Sequence, residues 1–139
     1  MKFIVKGKKR HYPTELWNNL KGPKPDPDFR CDGCSLSPDY YRRFFIWPGC
    51  IIHDFHYGGA LGRSWAARRE ADSIFYFNLR QELIDQGAPW HVSRLVPWIY
   101  WGRVRIWGAA RFPFAENEQP LSWWSRFAEA YGLFRDKRI

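Results

Sequence analysis

The sequence predicts a mainly α-helical domain with a minor β-hairpin near its N-terminus. Three observations carry this. Between Trp65 and Asp85, Ala71, Ile74, Phe75, Asn78, Leu79, Glu82 and Leu83 recur at three- and four-residue spacing, one stripe of a helix. Val92, Leu95, Val96, Ile99, Val104 and Ile106 give a second helical run among many aromatics. Weak alternation is confined to residues 2–12, around a possible hairpin tip at Lys6-Gly7-Lys8.

At 139 residues the chain reads as one domain, 1–139, long enough for a core without staples. We divide it into an arm and hairpin (1–28), a loop with two antiparallel helices (29–86) and a Trp/Arg-rich helical part (87–139). A net charge of +8 favours an anionic partner: lipid headgroups, phosphate esters or nucleic acid. Lys6 to Arg10 interrupt any apolar leader, so no signal peptide is expected, and no apolar run reaches membrane-spanning length. Three cysteines is an odd count, which argues against a disulfide scaffold.

Taken in order, residues 14–20 suit a short helix with Thr14 as N-cap and Trp17 and Leu20 facing inward. The three prolines of 22–28 exclude regular structure and make that stretch a linker or extended arm. Residues 29–38 form a loop centred on Gly33. Residues 38–45 are read as a short helix capped by Ser37. Pro48 suits the first turn of a helix ending at Tyr57, where Gly58-Gly59 stop it. Ser64 caps the long helix that follows, and Gln86-Gly87-Ala88-Pro89 end it. The next helix runs from Pro89 to Trp107, with Pro97 expected to break or kink it. Residues 112–119 are irregular, and a last amphipathic helix spans 122–134.

The chemistry concentrates in Cys50-Ile51-Ile52-His53-Asp54-Phe55-His56-Tyr57. In a helix, His53 and Tyr57 share one face, while Asp54 lies roughly 100° around from His53. A Gly-rich turn lets the next helix return antiparallel and bring Asp72 opposite His53. A buried carboxylate on one imidazole nitrogen fixes the tautomer and supports the cation formed at the other. Tyr57 would hold the far side of that carboxylate. With no obvious nucleophilic side chain, such a histidine most simply activates water. Asp54, with loop oxygens at Asp32, Gly33 and Cys34, offers hard donors for Ca²⁺. The cation would polarise a carbonyl and stabilise the developing oxyanion.

Cys50-x-x-His53-Asp54-x-x-Tyr57 followed by Asp72 resembles the catalytic core of calcium-dependent phospholipases A2, most closely the compact prokaryotic and viral forms. The resemblance implies His53 as base to a water and Asp54 and the Asp32-Gly33-Cys34 loop as calcium ligands. It implies Asp72 as the group that orients His53 and Tyr57 as its support. In the secreted enzymes a loop cysteine bridges the residue three before the histidine. That place is Cys50 here, with Cys31 or Cys34 as its counterpart, although a reducing cytosol predicts free thiols. The loop has fewer glycines than the family's. Residues 29–38, 53–57, 69–72 and 104–108 also resemble an uncharacterised domain family encoded by phages and prophages. This resemblance implies residence in the host cytoplasm or the virion, and other phage structural proteins as possible partners.

Other readings stand beside these. Asp72 can simply pair with Arg68 or Arg69, leaving His53 a satisfied core histidine. Cys31, Cys34, Cys50 and His53 form a Cys₃His set for structural Zn²⁺. The chain can also be a non-enzymatic virion or tail component. His56 is read as a surface or supporting residue. Most tryptophans of 90–111 are expected in the core, with a few at a phospholipid membrane surface. No nucleic-acid-binding motif is visible.

Overall fold

The computed structural model describes residues 2–5, 7–26, 29–31, 40–108 and 112–113, and the side chains of Ile4, Arg30 and Cys31 are not among what it describes. The element order is β1 (Lys2–Val5), β2 (Lys8–His11), α1 (Thr14–Asn18), β3 (Arg30–Cys31), β4 (Tyr40–Tyr41), β5 (Phe44–Phe45), α2 (Trp47–Phe55), α3 (Trp65–Asp85) and α4 (Trp90–Trp107). The chain is mainly helical, as expected.

The expected hairpin forms, with Lys2 opposite His11 and Val5 opposite Lys8, and Gly7 takes φ +75° at its tip. β3 then adds to β1 in parallel, Val5 facing Cys31, so the sheet order is β2-β1-β3. This holds the chain at Arg30 and Cys31 to a fixed point on the sheet. A sheet face of Phe3 and Val5 packs with Tyr12, Trp17, Leu20, Trp47, Ile51 and Ile52. α2 is therefore buried over most of its length, Trp47 through His53.

Residues 40–45 are a second hairpin, not the expected helix. Tyr41 pairs with Phe44 across a two-residue turn in which Arg42 takes φ +54°. Residues 38 and 39, and the Ser37 cap, lie outside the described residues. Gln86, just past α3, grips β5 from both sides: Phe45 N–H donates to its Oε1 at 2.7 Å, and its Nε2 donates to Phe45 O at 2.9 Å. Thr14 begins α1 and does not cap it; Pro13 occupies the cap position.

α3 matches its expected span. The Ser64 side chain accepts from Ala67 N–H at 3.0 Å, and Gly87 with φ +77° follows the C-cap. Its buried stripe of Phe75, Leu79 and Leu83 packs against Val92, Val96, Tyr100 and Val104 of α4. Each such side chain contributes about 1.5–3 kcal/mol on burial. α4 passes through Pro97 as one element, so of the expected break or kink the break does not occur. The tryptophan expectation is also corrected. Trp90, Trp98 and Trp107 are exposed and Trp101 is half-buried. The helix predicted at 122–134, and residues 114–119 of the stretch expected to be irregular, lie outside the described residues.

Candidate functional site

The site is built where α2, α3 and α4 meet. α2 passes into a π-helical turn, His56–Ala60, in which Gly59 takes φ +108°. That left-handed residue reverses the chain and lets α3 return alongside α2. The expected stop at Gly58-Gly59 is thus realised at the second glycine. As a result Asp72 faces His53 from the next helix: His53 Nε2 lies 2.7 Å from Asp72 Oδ1. Tyr57 O–H donates to the same oxygen at 2.7 Å.

Asp72 is fully buried and His53 is 7% exposed, so solvent reaches the imidazole but not the carboxylate. Burial works to raise the Asp72 carboxyl. The hydrogen bond from His53 and the charges of His53, Arg68 and Arg105 outweigh it and hold the carboxyl below its ordinary value. An ionised carboxylate can only accept, so His53 carries its proton on Nε2 and presents Nδ1 as the acceptor when neutral. Burial first, and the Asp72 charge second, push the Tyr57 phenol well above its ordinary value, so it remains a donor. The His53 ring stacks on Phe75 at 4.3 Å between centroids and meets Tyr57 at 4.2 Å.

The second carboxylate oxygen belongs to two arginines that the sequence reading did not assign to the site. Arg105 Nη1 donates to Asp72 Oδ2 at 2.6 Å from α4. Arg68 Nε sits 3.8 Å from the same oxygen, one turn before Asp72 on α3. The Arg68–Asp72 pairing weighed above therefore exists together with the His53 contact. Arg68 Nη2 also donates to Val104 O at 2.8 Å and Arg105 O at 2.7 Å, placing positive charge at the carbonyl end of α4. Arg105 carried a visible signal, a cation among the buried positions of an apolar helix. Its partner was not visible.

Gly108 closes this side. A Cβ there would lie 2.5 Å from the Tyr57 hydroxyl and 3.4 Å from Arg68 Nη2. His56 is fully buried, not at the surface, and its Nε2–H donates to Pro23 O at 2.9 Å. Asn78 exchanges two hydrogen bonds with the Lys21 backbone, at 2.7 and 3.1 Å. These two side chains fasten the proline-rich arm across α2 and α3.

Asp54 follows His53 on α2 and is half-buried. Asp32, Gly33 and Cys34, the other expected calcium ligands, lie outside the described residues. Among the described residues no group of three or more His, Cys, Asp or Glu side chains is disposed to hold a metal. The donors expected for calcium are one side-chain carboxylate plus loop oxygens, an all-oxygen set that suits a hard cation. Cys50 is disulfide-bonded, which corrects the expectation of free thiols. The other half of the bridge lies outside the described side chains. A bridged Cys50 has no thiolate to give, so this state and the Cys₃His zinc set exclude one another. No protein-family model, curated protein or solved structure matches the chain.

Proposed function

We propose that the chain is a calcium-dependent phospholipid esterase, similar in its chemistry to phospholipases A2. The observation that carries this reading is the buried Asp72 carboxylate on His53 Nε2, backed by Tyr57, Arg105 and Arg68. Such a carboxylate fixes one tautomer and leaves Nδ1 to take a proton. A water held at Nδ1 loses its proton to His53 as its oxygen bonds the ester carbonyl carbon. The tetrahedral adduct collapses by breaking the acyl C–O bond. His53 returns the proton to the leaving alcohol oxygen, so the imidazole ends as it began.

Asp54 and residues 32–34 would hold the calcium ion, which when bound supplies an electrophile for the carbonyl oxygen. Asp72 is a positioning residue, and Tyr57 and Arg105 position it in turn. The test is a split between two variants. Asp54→Asn should weaken calcium binding and ester hydrolysis together. Asp72→Asn should lower turnover and leave calcium binding nearly unchanged. Equal calcium affinity in wild type and Asp54→Asn would remove Asp54 as a ligand. A folded chain that hydrolyses no ester would favour a virion component instead.

A further inference from the structure

The outer face of α4 carries a surface that catalysis at His53 does not require. At 100° per residue, His91, Leu95, Trp98, Gly102 and Ile106 fall within about 80° of arc. Leu95 is 57% exposed, Trp98 62% and the adjoining Ile99 47%. A Cβ at Gly102 would meet nothing within 4 Å, so the middle of the stripe is open. Between Trp98 and α3 runs a groove of about 310 Å³ lined by Ser73, Tyr76, Trp98 and Trp101. At the N-terminal end of the helix, Arg42 and Arg43 from the second hairpin meet His91 around a cavity of about 320 Å³. α4 itself exposes Arg94 and Arg103, and it carries no carboxylate.

We propose that this face docks on an anionic phospholipid bilayer. The Leu95–Trp98–Ile99 stripe enters the headgroup boundary, and the Arg42–Arg43 cavity takes a headgroup phosphate. The charge on the face selects the occupant. A second copy of the chain would set cationic helices against each other with no carboxylate between them on α4. A bilayer offers both the apolar layer the stripe needs and the phosphates the arginines need. The proposal deepens the esterase reading by naming the surface on which that site works. Arg105 on the inner side of α4 holds Asp72, so the docking helix and the site share one element.

The experiment is co-sedimentation of the full chain with vesicles of ether-linked phosphatidylcholine, with and without phosphatidylglycerol. Ether linkages keep hydrolysis out of the binding assay. Wild type should bind the anionic vesicles, and added salt should weaken that binding. Trp98→Ser/Ile99→Ser and Arg42→Glu/Arg43→Glu should each lower partitioning about tenfold or more. No binding by wild type, or binding by either variant equal to that of wild type, overturns the proposal. So does a wild-type dimer that Trp98→Ser/Ile99→Ser dissociates. A marked fall in folding stability of that variant also overturns it, since the face would then be covered within the chain. Hydrolysis of a short-chain water-soluble ester, measured separately, tests His53 and Asp72 without a membrane. The failure of either idea is therefore seen on its own.

Discussion

Replacing Arg105 by methionine removes a buried positive charge and keeps most of the stem that packs beneath it. In the wild type its guanidinium lies 2.6 Å from Asp72 Oδ2, with Arg105 2% exposed and Asp72 fully buried. Removing one partner of a buried pair costs about 3–5 kcal/mol, because the other charge stays behind without compensation. Arg68 remains, but its Nε is 3.8 Å away and its Nη2 is committed to two α4 carbonyls. We therefore expect a loss near the low end, about 3 kcal/mol. With a urea slope of about 1–3 kcal/mol/M, the unfolding midpoint should fall by about 1–3 M. Far-UV circular dichroism against urea reads this directly. The pH dependence gives a second check. The Asp72 carboxyl is held below its ordinary value, so the stability it contributes is present above the unfolded pKa of about 3.9 and is lost as pH falls through the folded value. The gap between wild type and Arg105→Met should therefore close in acid. A variant within about 0.5 kcal/mol of wild type at neutral pH would refute the assignment of Arg105 as the partner that holds Asp72.

Gly108→Ala should displace the Tyr57 hydroxyl from Asp72, since its new methyl would sit 2.5 Å from that oxygen. The lost charged hydrogen bond is worth about 1.5–3 kcal/mol, readable by thermal unfolding, and Tyr57→Phe should make the Gly108 change nearly silent. Glu82 accepts the Gly49 N–H at the start of α2, and its Oε2 makes no hydrogen bond among the described residues. Burial pushes its carboxyl well above the ordinary value, against the Gly49 hydrogen bond. The stability of the neutral acid is thus full below about pH 4.3 and falls as pH rises toward the folded value. Glu82→Gln should match wild type in acid and exceed it in melting temperature at about pH 8; a variant that loses ground as pH rises would contradict this.

Much of the scaffold was legible because it rests on local signals. Ser64, the 65–85 stripe and Gly87 mark α3 from cap to stop, and residues one turn apart place His53 and Tyr57 together. Asp72 was legible too, since a glycine turn between two helices leaves few ways to return. The second hairpin was hidden because Arg42-Arg43 is not a turn dipeptide. Its hold comes from Gln86, forty-one positions after Phe45. β3 was hidden for a similar reason: a two-residue parallel pairing leaves no periodicity to read. Arg105 and Arg68 were visible as cations, but their convergence on one carboxylate oxygen depends on how α4 crosses α3. The exposure of Trp90, Trp98 and Trp107 was misjudged because an apolar ring signals a core only when another element covers it.

We propose His53, held by Asp72, as the base of a calcium-dependent lipid esterase. The most direct measurement is release of fatty acid from a phospholipid labelled in its sn-2 chain, for wild type and His53→Ala, with Ca²⁺ and with chelator. Chelator-sensitive release by wild type is expected, with a fall of about a hundredfold or more in the variant. Release that persists in a folded His53→Ala chain, or no release from a folded wild type under either condition, would contradict it.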